Sequence, residues 1–134
     1  MTKGACKILG IGLVLAGIAG YFNPNLLGLH LTPSHNFIHL LVGALTLYFG
    51  FTDTIEAAQV FCRVFGAIYL IAGILGFVAP EAIERIVQIP VTVVGLNLTP
   101  DNIVHLLVGA IFLIVGFLPE PHRAMPTGVG GQLK

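Results

Sequence analysis

Charged residues are scarce in this sequence. Asp, Glu, Lys and Arg make up 9% of its 134 residues, whereas an ordinary soluble domain carries roughly 25%. Hydrophobic residues make up 56%, and the mean hydropathy is +0.96. A chain of this length has no large core in which to bury so much apolar surface. The composition therefore excludes a water-soluble domain and indicates a protein of the lipid bilayer.

Other absences narrow the range of functions. The formal net charge is zero and no basic run is long enough to suggest nucleic-acid binding. No carboxylate lies inside an apolar segment as a proton relay, and no nucleophile, base and acid are grouped, so we expect no enzymatic activity. The only cysteines, Cys6 and Cys62, are expected to be small packing residues in a reducing compartment and not a disulfide.

Four apolar segments are long enough to cross a membrane. Each spans about 25 to 30 Å as a helix, close to the thickness of the hydrocarbon layer. Their predicted bounds are 5–22, 36–52, 60–79 and 102–118. We therefore predict an all-α fold, an integral membrane four-helix bundle that forms a single transmembrane domain over residues 1–134.

The chain contains an internal repeat, with copies at 6–52 and 62–118. Cys6-Lys7 corresponds to Cys62-Arg63, and His-Leu-Leu-Val-Gly-Ala is written twice, at 39–44 and 105–110. Each copy predicts a transmembrane helical hairpin, so the two hairpins are related by a pseudo-two-fold axis along the membrane normal. The second copy is longer after Pro80, where helical spacing of charged and apolar residues predicts a short extra helix.

Basic residues predict the orientation. Only Arg85 falls on one side of the predicted spans, while five others fall on the side of the termini: Lys3, Lys7, Arg63, Arg123 and Lys134. By the positive-inside rule we expect both termini to be cytoplasmic in a multi-pass protein of the cell membrane.

Glycines recur seven residues apart in every predicted helix. Seven residues make about two helical turns, so each pair lies on one face, where small residues let helix backbones approach closely. These eight glycines are predicted to line helix contacts: Gly10, Gly17, Gly43, Gly50, Gly66, Gly73, Gly109 and Gly116.

A histidine follows shortly after the start of the second and fourth segments. Asn36 and Asn102 come just after prolines and are predicted helix caps, and His39 and His105 follow three residues later. The simpler interpretation is that each imidazole ring reaches back and caps the first turn of its own helix. The alternative is that the two rings face each other and bind a haem or another tetrapyrrole as axial ligands.

A lone metal ion fits the sequence less well. Zinc usually takes four ligands, and the other nearby histidines, His30 and His35, have no histidine counterparts in the second copy. We therefore predict no metal ligands and, outside the tetrapyrrole alternative, no cofactor.

The paired Asn-x-x-His-Leu-Leu-x-Gly-Ala stretches, 36–44 and 102–110, resemble those of a family of short four-span bacterial membrane proteins known only as a domain of unknown function. The resemblance implies a multi-pass membrane protein and no established activity. Our leading hypothesis is a small structural or accessory protein that packs with itself or with a larger membrane complex. A haem-binding membrane protein is the alternative.

Overall fold

The structure is a computed structural model that describes residues 1–51, 54–87 and 100–119, and within these ranges the chain is helical, without strands. Its helices, with a 3-10 turn at Leu26–Gly28, are α1 (Thr2–Phe22), α2 (Pro33–Phe51), α3 (Ile55–Val78), α4 (Pro80–Val87) and α5 (Pro100–Phe117). The predicted short helix after Pro80 is thus present as α4. Residues 88–99, which belong to the longer segment after Pro80, lie outside the described residues, as do Arg123 and Lys134.

Three of the described helices are long and apolar enough to cross a membrane: α1, α3 and α5. Helix α2 has 19 residues, but four polar residues in its first two turns lower its hydropathy: Ser34, His35, Asn36 and His39. The outer faces of the helices carry large exposed apolar side chains, for example Ile8 at 74% exposure and Ile114 at 61%. This chain is therefore a membrane protein by its composition and by the length of its helices.

The long helices form two tightly packed hairpins, α1 with α2 and α3 with α5. Where Gly10 faces α2, an added Cβ would lie 2.7 Å from Cγ of Leu47 and 2.9 Å from its backbone nitrogen, so α2 would have to shift. At Gly109, an added Cβ would lie 2.7 Å from the backbone nitrogen of Leu70. All eight glycines with seven-residue spacing lie at these two contacts, inside a hairpin and not between hairpins.

The two hairpins share one buried core. Phe112 of α5 and Ala58 of α3 are fully buried in it, together with Cys6 of α1 and Cys62 of α3, whose Sγ atoms lie 3.2 Å apart. Both cysteines are free thiols. The corresponding positions of the two sequence copies therefore meet at the contact between the hairpins.

Both histidine-bearing helices begin earlier than the predicted caps. Proline suits the first turn of a helix because its missing N–H needs no partner there, so α2 begins at Pro33 and α5 at Pro100. Thr32 accepts a hydrogen bond on its hydroxyl oxygen from the backbone N–H of His35 and so caps α2. The predicted capping positions, Asn36 and Asn102, instead lie inside the first turns and are buried.

The two asparagines contact the neighbouring helix of their own hairpin. The side-chain amide of Asn36 packs against Gly20, and that of Asn102 packs against Gly76. Asn36 also donates from Nδ2 to the carbonyl oxygen of Leu31 at 3.1 Å. Glycine is needed opposite each amide because any Cβ there would overlap it.

Candidate functional site

Three histidine side chains meet at the end of the helix bundle where α2 and α5 begin. His35 and His39 lie one turn apart on the same face of α2, and His105 comes from α5. The ring centroids are 4.5 Å apart for His35 and His39, 5.5 Å for His35 and His105, and 6.4 Å for His39 and His105. His35 and His39 are buried, and His105 is half-buried. We call these three residues the histidine cluster.

Hydrogen bonds orient His35 within the cluster. Its Nδ1 donates to the carbonyl oxygen of His30 at 2.9 Å, because a carbonyl oxygen only accepts. In the neutral ring this leaves Nε2 as the free acceptor, and it faces Nε2 of His39 at 2.9 Å. His39 then donates from Nε2, and its buried Nδ1 has no hydrogen-bond partner among the described residues. The tautomers are assigned from this network.

The carboxylate of Asp101 holds His30, the residue that orients His35, in place. Asp101, the second residue of α5, is 5% exposed, and its oxygens accept hydrogen bonds from the backbone N–H of His30 at 3.0 and 3.1 Å. Oδ2 of Asp101 also lies 2.8 Å from Nδ1 of His30. Asp101 thereby ties the segment before α2 to the start of α5. It fixes the residue whose carbonyl orients His35.

Two cavities flank the histidine cluster. One, of about 350 Å³, lies between α1 and α5, and the other, of about 190 Å³, lies between α2 and α3. All three histidines border both cavities, as does the buried Tyr69, whose ring centroid lies 5.5 Å from that of His105. The remaining walls are almost entirely apolar. The cluster is therefore a small polar site in an apolar surrounding, a common form of ligand site.

The histidine cluster has the ligand atoms of a metal site. Its three imidazoles offer ring nitrogens that all lie within 4.8 Å of one another. Zinc holds nitrogen ligands at about 2.0 to 2.1 Å, so shifts of about 1 Å bring these nitrogens around one ion. Imidazole ligands suit zinc, copper, nickel and iron, and a ligating ring that donates its other N–H to a carbonyl is a usual feature of such sites.

The sequence indicated only part of this site. It singled out His39 and His105, which the structure places on facing helices. It missed His35 because the second copy has no histidine there: aligned on Asn36 and Asn102, the residue opposite His35 is Asp101. The four-residue spacing of His35 and His39 was the available signal, since it places both rings on one helix face.

Comparison with known proteins identifies a family but no function. No curated protein and no solved structure matches this chain. The model of one family, described as a domain of unknown function (DUF4383), matches residues 4–118. That match includes both hairpins and every residue of the histidine cluster. Because it extends over most of the sequence, the chain belongs to the DUF4383 family.

Proposed function

We propose that this protein is an accessory-type membrane protein whose four long helices cross the bilayer and whose interior binds one transition-metal ion. Helix α2 serves as the fourth span because it packs along the whole of α1 and buries its polar residues inside. Its exposed apolar surface contacts lipid, a second copy of the chain or a larger membrane complex.

The basic residues support an orientation with both termini in the cytoplasm of the cell. Lys3 and Lys7 begin α1, and Arg63 lies in the first half of α3, at the same end. A cysteine introduced at Lys3 should stay unlabelled when intact cells are treated with a membrane-impermeant maleimide. Labelling of that cysteine from outside would reverse the orientation.

One observation supports metal binding above all: three imidazoles from two helices meet inside the protein with their ring nitrogens within 4.8 Å. Structural reasons alone rarely bring three histidines together in an apolar interior, because each ring nitrogen there needs a partner. Here Nδ1 of His39 has none in the part of the chain that the structure describes. A bound ion, after small ring shifts, would take up the free nitrogen lone pairs.

The geometry favours a metal ion over the tetrapyrrole alternative. Two axial imidazoles on a haem require the macrocycle to lie between them. His35 occupies this region, since its ring centroid lies 4.5 Å from that of His39 and 5.5 Å from that of His105. A haem would have to displace His35, whereas a single ion uses it as a ligand.

The test is a titration of the purified protein, in mild detergent, with Co²⁺, whose weak visible absorption in water strengthens when a few protein ligands replace its water shell. We expect one ion per chain, displaced by Zn²⁺. His35→Ala, His39→Ala and His105→Ala should each weaken binding by more than about 100-fold, since losing even a residue that only orients a ligand costs about 10- to 100-fold. Thr46→Val, at a buried polar residue of α2 outside the cluster, is the control.

Two results would contradict the metal site. In the first, Co²⁺ binds with unchanged affinity to all three alanine variants. In the second, the protein from cells supplied with haem precursors shows a Soret band that His39→Ala and His105→Ala remove and His35→Ala keeps. That pattern would establish the haem alternative instead.

A further inference from the structure

The two cavities beside the histidine cluster occupy equivalent places in the repeat. Each lies in a gap between the hairpins: α1 and α5 border the larger cavity, and their counterparts α3 and α2 border the smaller one. The helices of different hairpins make far fewer contacts than those within a hairpin. Both cavities therefore lie where a ligand can reach the histidine cluster from the side of the bundle.

Side-chain size distinguishes the two cavities beside the cluster. Gly12 borders the larger cavity, and the residue 56 positions later, Ile68, borders the smaller one. Likewise Leu9 corresponds to Phe65. Ile83 of α4 also borders the second gap. A cavity of about 350 Å³ falls within the usual range of ligand pockets, roughly 300 to 1,000 Å³, and one of about 190 Å³ falls below it.

The larger cavity meets the outer surface of the protein at Gly12. This glycine is exposed, and a Cβ added there would meet no atom within 4 Å. Its neighbours on the surface of α1 are apolar and exposed: Ile8 at 74% and Leu15 at 59%. A ligand that enters at Gly12 therefore comes from the apolar phase around the helices and not from water.

The charge of the bound ion indicates which chemical group of the ligand would reach the histidine cluster. Three neutral imidazoles supply no negative charge to a divalent ion, and a buried charge is costly unless it is paired. Asp101 also borders this cavity, but its oxygens are bound to His30, and one carboxylate leaves one positive charge of the ion unbalanced. Three protein ligands also leave at least one coordination position open. An anionic oxygen donor satisfies both requirements.

We propose that the larger cavity binds a fatty acid from the surrounding bilayer, whose carboxylate occupies the open position of the metal ion and whose tail leaves past Gly12. This inference rests on the proposed metal site. The apolar walls between α1 and α5 contact the tail, and the histidine cluster holds the ion that binds the head. The smaller cavity, which Ile68 and Phe65 narrow beside the histidine cluster, is too small for such a ligand.

The experiment uses the full chain in phosphatidylcholine nanodiscs, loaded with Co²⁺, and follows the visible spectrum during addition of decanoate. We expect a saturable spectral change. Decanol has the tail without the anion, and acetate has the anion without the tail. Both should need at least about 10-fold higher concentrations, about 1.4 kcal/mol for each missing interaction.

Gly12→Ile tests the route, because it installs the residue of the equivalent position in the second copy. Co²⁺ affinity should be unchanged, and the response to decanoate should weaken by at least about 10-fold, again about 1.4 kcal/mol. Gly4→Ile is the matched control: Gly4 is also an exposed glycine of α1 with nothing near its Cβ, and it borders neither cavity.

Each outcome has one meaning. Equal responses to acetate and decanoate, an unchanged response in Gly12→Ile, or no response from protein that holds Co²⁺ would overturn the fatty-acid site while leaving the metal site intact. Failure of the unmodified protein to bind Co²⁺ would overturn both.

Discussion

In the first hairpin, a Cβ added to Gly43 would lie 3.1 Å from the carbonyl oxygen of Gly10, and in the second, one added to Gly109 would lie 2.9 Å from that of Gly66. The two hairpins also correspond at the end where a basic side chain of one helix packs on a phenylalanine ring of the other. The ammonium of Lys7 lies 4.4 Å from the ring centroid of Phe51, and the guanidinium carbon of Arg63 lies 4.6 Å from that of Phe117. The packing within each hairpin is thus nearly the same.

The hairpins differ around the histidine cluster. The first copy has His35, Leu13 and Gly12 where the second has Asp101, Tyr69 and Ile68. All six residues border one or both of the cavities. Shared residues therefore hold each hairpin together, whereas the differing residues make the two cavities unequal and place two of the three clustered histidines on α2.

The largest effect on stability should come from the shared packing. Gly43→Leu and Gly109→Leu should each lower the free energy of unfolding by about 1 to 3 kcal/mol, because no space exists for a side chain at either contact. Thermal denaturation in detergent measures this. Gly4→Leu, at an open position, should leave the melting temperature unchanged. A large difference between the two hairpin variants would contradict equivalent packing.

A smaller effect, on the affinity for Co²⁺, should come from Asp101, the residue that replaces His35 in the second copy. Asp101→Ala removes the hydrogen bonds to His30 and loosens the carbonyl that orients His35, so Co²⁺ affinity should fall by about 10- to 100-fold. The Co²⁺ spectrum at saturation should keep its three-nitrogen form. Loss of a ligand from that spectrum would mean that Asp101 binds the ion directly.

The smallest effect on stability should come from the two basic residues, Lys7 and Arg63, and should differ between them. Nε of Arg63 donates to the carbonyl oxygen of Gly116 at 2.7 Å in addition to its ring contact. Arg63→Leu should therefore cost about 1 kcal/mol of stability, and Lys7→Leu about 0.5 kcal/mol, the value of an exposed cation–ring contact. Equal melting temperatures for the two variants would show that the Arg63 hydrogen bond contributes nothing.

Much of the helical scaffold follows from local sequence. Apolar segments of about 20 residues predict helices long enough for a membrane, and the structure has three that meet this description. The helix starts differ from the prediction, because Pro33 forms the first turn of α2 and Asn36 lies inside that turn. The start of α2 therefore lies a few residues before the predicted one, and Asn36 is a buried residue and not a cap.

Composition and helical periodicity are local properties, so the sequence alone predicts the apolar, helical class of this protein and the correspondence of Gly10 with Gly66 and of His39 with His105. The tertiary structure alone shows that His105 of α5 meets His35 and His39, that Asp101 orients His35 through His30, and that the exposed Gly12 borders the larger cavity. These contacts join residues as far apart as 71 positions. Their distances depend on how two hairpins and the segment before α2 pack together, and no spacing within one helix encodes that.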